Sequence, residues 1–595
     1  MLRDVAKAIQ RGDPSSPQKA QDALERIQEM QQQQQQQQQQ DDNDAPLLDN
    51  DSKPLVQAYN LWIHAIAKTV PHNPGPQAEA VLNRMLLHNN NNDSTTIVEP
   101  TIVTYTSVID AYARSEKHDG ALHAERILFG LLDQQLFGGA QKQPLRITSV
   151  TCDAVLNVWA RVGTLPAAQR ALAILQRLEH LQNQQIRPTA HSYATVLNAF
   201  AKCHAPHHCQ DILQNLISKA KDHNGNGNSE VVLPETVMFN VAMQAWANSG
   251  DPRAGNQAQK LLQRMIDLSS SSSSQFPTQP DTVSYNTVIS AWAHSGHVNA
   301  ALQAEKVLQQ MHQASRQQQE EKVVTPNTIS YNSVLHAYAQ APTLTSSSSL
   351  APALRASRLL QFMIKSQNPQ IAPDAISFTS VLNAWAKSKQ PDKARQARHI
   401  LDAFLAYRLE PNPIPFNAVL NACAFSAFDA NNQASPAHTQ REALRIAVST
   451  FALLRQHCQP DTVSYGNLLK CGANLMGMGD QRTALSMKVF AQCCRDGMVG
   501  ELAWNEIRRA VPRNVLMQVI PSQLRPRGLA GIQHYDLPKS WRRNVSVRNR
   551  DKPRAKKPIK PQNKKKKKKR EQRPRPPIRR EPRGFSEQLW TGKEM

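Results

Sequence analysis

The chain of 595 residues is poor in glycine (22) and in aromatic residues (5%), and no run of 18 uninterrupted apolar residues occurs in it. That last absence excludes an ordinary membrane-spanning helix, which needs about 20. Eight cysteines, at 152, 203, 209, 423, 458, 471, 493 and 494, form no C-x-x-C pair and no compact framework. They are expected to be reduced thiols rather than a disulfide scaffold. Also missing are a P-loop, an H-E-x-x-H helix and a G-x-S-x-G elbow, the signatures of nucleotide, zinc-protease and hydrolase chemistry. The chain does not open on a charged segment followed by an apolar core, so secretion is not indicated.

What is present points to helices. Forty per cent of the residues are apolar, enough for a core, and 38 prolines punctuate them, as expected of short helical units separated by turns. The net charge is +23, a nucleic-acid footprint by its size. Its placement matters more. Between residues 541 and 583 there are 21 Lys and Arg against three acids, while residues 1–540 carry only about +6. A body of that charge binds nucleic acid only if its cations share a face.

The strongest signal is an internal repeat. Tyr285, Val288, Ile289 and Trp292 stand at i, i+3, i+4 and i+7, one stripe of an α-helix. The same spacing recurs at Tyr105 to Tyr112, Cys152 to Trp159, Tyr193 to Phe200, Phe239 to Trp246, Tyr331 to Tyr338, Phe378 to Trp385 and Phe416 to Cys423, and more loosely at Tyr59 to Ile66. Most stripes follow a proline and a small polar residue, such as Pro280-Asp281 or Pro373-Asp374, a turn and a helix start. Ser284, Ser330 and Ser377 are read as residues able to cap these helices. A second amphipathic helix follows each stripe, for example from Ala301 to Leu308 and from Lys393 to Leu401. Each unit is helix A, turn, helix B, turn. One pair cannot bury its own stripe, so neighbours must stack into an all-α, right-handed α-solenoid superhelix.

First stripe positions stand 38 to 49 residues apart. The surplus falls in polar tracts such as Ser269–Ser274, Ser346–Ser349 and Asn89–Asn92, and the glutamine run Gln31–Gln40 is taken as a similar spacer. Residues Ala8 to Met30 align with Trp246 to Met265 through a shared Gly-Asp-Pro turn. The chain thus opens partway along a helix A, either as a shortened cap or as a start within a longer protein. The expected organisation is a partial repeat with a Gln-rich loop (1–55), degenerate repeats (56–235), well-matched repeats (236–461), an atypical repeat with capping helices (462–520) and a basic, Pro-rich disordered tail (521–595).

The helix A sequences TVSYNTVISAWAHSG (282–296), TISYNSVLHAYAQ (328–340) and AISFTSVLNAWAK (375–387) resemble those of pentatricopeptide-repeat proteins, P-class-like and without a catalytic C-terminal extension. The resemblance covers roughly residues 1–490, although the units here are longer than the family's. It implies single-stranded RNA as partner, one base per repeat, read by the residue after the aromatic together with the residue just before the next repeat. Residue by residue this gives Asn240 with Asp281, Asn286 with Asn327, Asn332 with Asp374, Thr379 with Asn412 and Asn417 with Asp461. The family's code reads them as U, a pyrimidine, U, A and U, from 5′ to 3′. Val237, Val283, Ile329, Ile376 and Ile414 would wedge between bases.

Earlier repeats match poorly. Asn60 with Thr101, Thr106 with Thr148, Asp153 with Thr189 and Ala194 with Glu235 are weak or unassigned combinations, His191 replaces the apolar wedge, and Gly466 offers no reading group. A second register stands nine residues beyond the first stripe position: Lys68, Arg114, Arg161, Lys202 and Lys387, with His294 in the same slot. These resemble the family's phosphate-contacting residues, against the plainer role of cations opposing the helix macrodipole.

No enzyme, metal or cofactor is expected. Some family members end in a zinc deaminase, but His123-Ala124-Glu125 has no C-x-x-C to complete it. Cys203 to Cys209 holds ligand types yet falls in a turn between helices. The resemblance implies a mitochondrial or plastid protein acting in RNA stability, processing or translation, with RNA-processing or translation proteins as further partners. The alternatives are a protein-binding scaffold similar to tetratricopeptide arrays and a scaffold recruiting a separate nuclease. Lys564–Lys569 reads as added phosphate affinity or, alternatively, as a nuclear address.

Overall fold

The structure is a computed structural model that describes residues 1–38, 53–91, 98–114, 118–137, 147–181, 185–222, 232–270, 277–317, 324–341, 351–426 and 436–545. Among the described residues there is no strand. The chain forms two compact units, Met1–Ala337 and Tyr338 onward.

In the first unit, α1 (Leu2–Arg11) and α2 (Ser16–Gln38) precede six pairs of helices A and B. They are α3 (Lys53–Thr69) with α4 (Pro74–Asn91), α5 (Ile102–Ala113) with α6 (His118–Phe137), α7 (Ser149–Val162) with α8 (Leu165–His180), α9 (Ala190–Lys202) with α10 (Pro206–Asp222), α11 (Thr236–Ala247) with α12 (Ala254–Ser270), and α13 (Thr282–His294) with α14 (Ala300–Gln317). The unit boundary falls within α15 (Thr328–Gln340). The second unit continues with α16 (Pro352–Lys365), α17 (Ala375–Lys387), α18 (Lys393–Ala406), α19 (Pro413–Ala424), α20 (Ala437–His457), α21 (Thr462–Leu475) and α22 (Asp480–Arg495). It closes with α23 (Glu501–Ala510), α24 (Arg513–Val519) and the one-turn α25 (Gly528–Gly531).

Within each unit the packing follows from the stripes. From α3 to α11, and from α17 to α23, each helix A lies against the next helix A, and helices B dock on their own and the following helix A. Tyr285, Val288, Ile289 and Trp292 are buried, as are Ala300, Ala301, Ala304, Val307, Leu308 and Met311 of α14. Burial of each large side chain contributes about 1.5–3 kcal/mol. Small residues let helix B approach the next ring: a Cβ on Gly255 of α12 would fall 2.3 Å from Trp292 of α13.

The residue after each proline, not the serine, caps helix A. Asp281, Asp374 and Asp461 accept from the backbone N–H of Ser284, Ser377 and Ser464, and each pair forms a reciprocal capping box. Thr101 with Thr104 and Thr189 with Ser192 do the same. The serines therefore occupy the third helical position and close the box rather than open the helix.

Two sequence boundaries move. α2 runs through the glutamine tract to Gln38, since glutamine is a good helix former. The chain also remains folded well past residue 521. Ile532 and Leu537 are buried, Trp504 Nε1 donates to the Ile532 carbonyl at 2.9 Å, and Val499 N–H donates to the Trp541 carbonyl at 2.9 Å. Trp541 meets Phe490 edge-on. This stretch hides its core because its apolar residues are isolated among Pro and Arg without helical period. The tail beyond Val545, including Lys564–Lys569, and the serine tracts Ser271–Ser274 and Ser346–Ser349 lie outside the described residues.

Candidate nucleic-acid interface

A helix that buries its stripe must expose the opposite side of its first turn. The residues two places before the aromatic do so: Val237, Val283, Ile329, Ile376 and Ile414 are 55 to 62% exposed. Val103 and Val150 in the first unit and Val463 in the second hold the same register, at 58, 65 and 42%. Sequence reasoning passed over these three because their repeats lack good reading pairs, although their register was legible.

Beside this ladder stand the paired polar residues. Asn240 Nδ2 donates to Asp281 Oδ1 at 3.3 Å, Asn417 Nδ2 to both Asp461 oxygens at 3.0 and 3.2 Å, and Asn286 Nδ2 lies 3.5 Å from Asn327 Oδ1. Asn286 Oδ1 is buried without a partner. Thr379 and Asn412 are not joined. The Thr379 hydroxyl donates to the Ala375 carbonyl at 2.6 Å, and Asn412 caps α19 by accepting from Ile414 N–H at 3.0 Å. Asn332 is half-buried on α15, and Asp374 caps α17.

The earlier repeats build the same corner from other residues. Asn60 Oδ1 accepts from Thr104 Oγ1 at 2.6 Å, and Asp153 accepts from Ser192 and, at 3.5 Å, from Thr189. Burial raises the Asp153 carboxyl above its usual range, opposed by the Ser192 hydrogen bond. Thr106 bonds back to the Ile102 carbonyl at 2.7 Å. Thr148 and Glu235 cap their helices without a side-chain bond, and Ala194 brings no polar group. At Gly466 the corner is filled from elsewhere: a Cβ there would fall 2.5 Å from Leu502 of α23.

Lys68, Arg114, Arg161, Lys202, His294 and Lys387 are all exposed at the C-terminal ends of their helices A. Lys387 Nζ donates to the Ala339 carbonyl and to Gln340 Oε1, both at 2.8 Å, so this lysine serves the C-terminal end of α15. Among the described residues, Lys68, Arg114, Arg161 and Lys202 form no ion pair. His64 points into the same row; burial first, then Lys68 and Arg114, hold its imidazole below the usual pKa.

Other motifs resolve into packing. His123 stacks on Tyr112, and Glu125 receives Arg170 through Nε and Nη2. No cluster suited to a metal occurs among the described residues. All eight cysteines are free thiols, and burial pushes Cys209 up to about 12.

The class these features define is an all-α array of two-helix repeats. Models of the pentatricopeptide repeat domain match residues 277–341, spanning α13 to α15, and of the PPR repeat match residues 103–123, on α5 and the start of α6. The chain carries pentatricopeptide repeats at those residues. Among solved structures it is similar to the pentatricopeptide repeat protein PPR10 from maize, at 18% identity and a TM-score of 0.36 over 76% of this chain and 60% of that one. PPR10 in complex with an 18-nt psaJ RNA element matches at 14% identity and a TM-score of 0.27, over 76% of this chain and 65% of that one. This chain thus spans less than two thirds of either. No curated protein sequence matches it.

Proposed function

We propose that this protein binds single-stranded RNA along the exposed first turns of its helices A and selects bases through the repeats from Thr236 to Asp461. The observation that carries the reading is the recurrence of one arrangement, an exposed Val or Ile beside an asparagine, half-buried at 240 and buried at 417, that is bonded to the cap of the next helix A. An apolar wedge separates bases without reading them. A pinned amide with a spare N–H, set beside a carboxylate, fits the uracil edge, whose N3–H is flanked by carbonyl oxygens. The expected core is U-pyrimidine-U-A-U. Lys68, Arg114, Arg161 and Lys202 hold phosphates.

Such binding acts without catalysis, by blocking exonucleases or keeping a site unpaired in organellar RNA stabilisation, processing or translation. Family membership supports a mitochondrial or plastid location. Residues 546–595, with 20 Lys and Arg against five acids, add affinity that ignores sequence.

Selection from a random single-stranded RNA pool tests this, repeated with Asn286, Asn332 and Asn417 changed to Ala. A U-rich core that disappears in the variant is the expected result. No enrichment in the wild type, or enrichment unchanged by the substitutions, would count against base reading and favour a peptide ligand on the Val/Ile ladder.

A further inference from the structure

Wherever an asparagine meets an aspartate in one unit, a third group joins them. Ser284 Oγ lies 2.7 Å from Asn240 Oδ1 and 2.8 Å from Asp281 Oδ1. Ser464 Oγ lies 2.7 Å from Asn417 Oδ1 and 2.9 Å from Asp461 Oδ1. The amide nitrogen faces the carboxylate in both. Turning the amide over would set its oxygen against a carboxylate oxygen, two acceptors with no proton between them. It would also forfeit the serine's donation to Oδ1. Only one orientation satisfies every group.

The crossing bond recurs outside these repeats. Thr104 donates to Asn60 at 2.6 Å, and Ser192 donates to Asp153. The repeat of α13 lacks it. There Ser330 Oγ keeps to Asn327 Oδ1 at 3.1 Å, which also accepts from Ser330 N–H at 3.1 Å, and Asn286 Oδ1 has no partner. Asn286 is held by one long bond of 3.5 Å.

We propose that Ser284 and Ser464 are positioning residues that fix which way the Asn240 and Asn417 amides face, and so set how strictly those two repeats choose a base. The inference rests on the RNA reading above. The serines touch no base themselves; they act through the asparagine. Ser330 has no such role, and the Asn286 repeat accepts both pyrimidines because no hydroxyl holds its Oδ1 and its one bond to the cap is long.

The test measures full-length protein binding RNAs that differ only at the nucleotide facing Asn240 or the one facing Asn286. Ser284→Ala is expected to lower the preference for U over C at the first position from roughly tenfold to under about threefold. Ser284→Thr should restore it, since Thr104 makes the same bond to Asn60. Ser330→Ala removes an equivalent capping hydroxyl, so its melting temperature should fall by a similar amount while the preference at Asn286 stays unchanged. Ser464→Ala repeats the measurement at Asn417 should the first variant fold poorly. If Ser284→Ala keeps the wild-type preference while losing stability, the serine is only a cap and the proposal is overturned. A matching loss of preference in Ser330→Ala would overturn it equally. A wild-type protein without preference at any position would overturn the RNA reading first, and the inference with it.

Discussion

The repeats of α3 to α9 and those of α11 to α19 share one fold but carry different groups on it. The first set places Lys68, Arg114, Arg161 and Lys202 in register, yet its proposed reading slots hold Asn60, Thr106, Asp153 and Ala194. In the second set the reading slots hold Asn240, Asn286, Asn332, Thr379 and Asn417, while the cation slots hold Asn248, His294, Gln340, Lys387 and Phe425. The one lysine among these is bonded to a carbonyl, and Phe425 sits under Lys470 Nζ at 4.0 Å. On the proposed reading, phosphate attraction and base selection are separated along the chain, while asparagine or aspartate bonded to the first turn of the next helix A occurs in both sets, at Asn60 and Asp153 as at Asn240 and Asn417.

That division can be broken from either side. The largest effect is expected on removing the readers. Changing Asn286, Asn332 and Asn417 to Ala should cost about 1–3 kcal/mol of discrimination at each position, seen as loss of sequence preference in competition binding, with the salt dependence intact. Removing the four cations should do the reverse. Each phosphate contact contributes about 0.7 to the slope of log K against log salt for a single strand, so Lys68, Arg114, Arg161 and Lys202 changed to Ala should flatten the slope by nearly 3 while the preferred sequence survives.

Next in size is Gly466→Asn, which places a reader where Leu502 already packs. It should lower stability by about 1–3 kcal/mol in thermal unfolding and add no selectivity, marking Asn417 as the end of the reading series. The smallest effect concerns pH. Burial lowers the His64 and His312 pKa below 6.5 in the folded chain, so the unfolded chain takes up protons first as pH falls through that value. Stability should decline below about pH 6.5, and His312→Gln should make the melting temperature less dependent on pH there.

Much of this was legible in the sequence, and what escaped it did so for identifiable reasons. The stripe from Tyr285 to Trp292 and the proline before each helix A prescribe the repeat, because helical spacing records which face is buried. The division of labour within the cap was hidden, since Asp281 and Ser284 are equally good capping residues and only backbone geometry separates them. Lys387 looked like the other cations until the Ala339 carbonyl was found beside it, a contact 48 residues away in the chain. The folded stretch to Val545 was masked by its Pro and Arg content. Val103 and Val150 have the right register, but their repeats carry Thr106 and Asp153 where the better-matched repeats carry asparagine, so the pairing signal around them is weak.

The central claim is that base selection resides in the repeats from Thr236 to Asp461, independent of the cation row. Selection from a random single-stranded RNA pool, run in parallel on the wild type, the three-asparagine variant and the four-cation variant, tests it directly. The account predicts a U-rich core in the wild type, the same core at weaker affinity in the cation variant, and none in the asparagine variant. A core that vanishes with the cations and persists without the asparagines would contradict it.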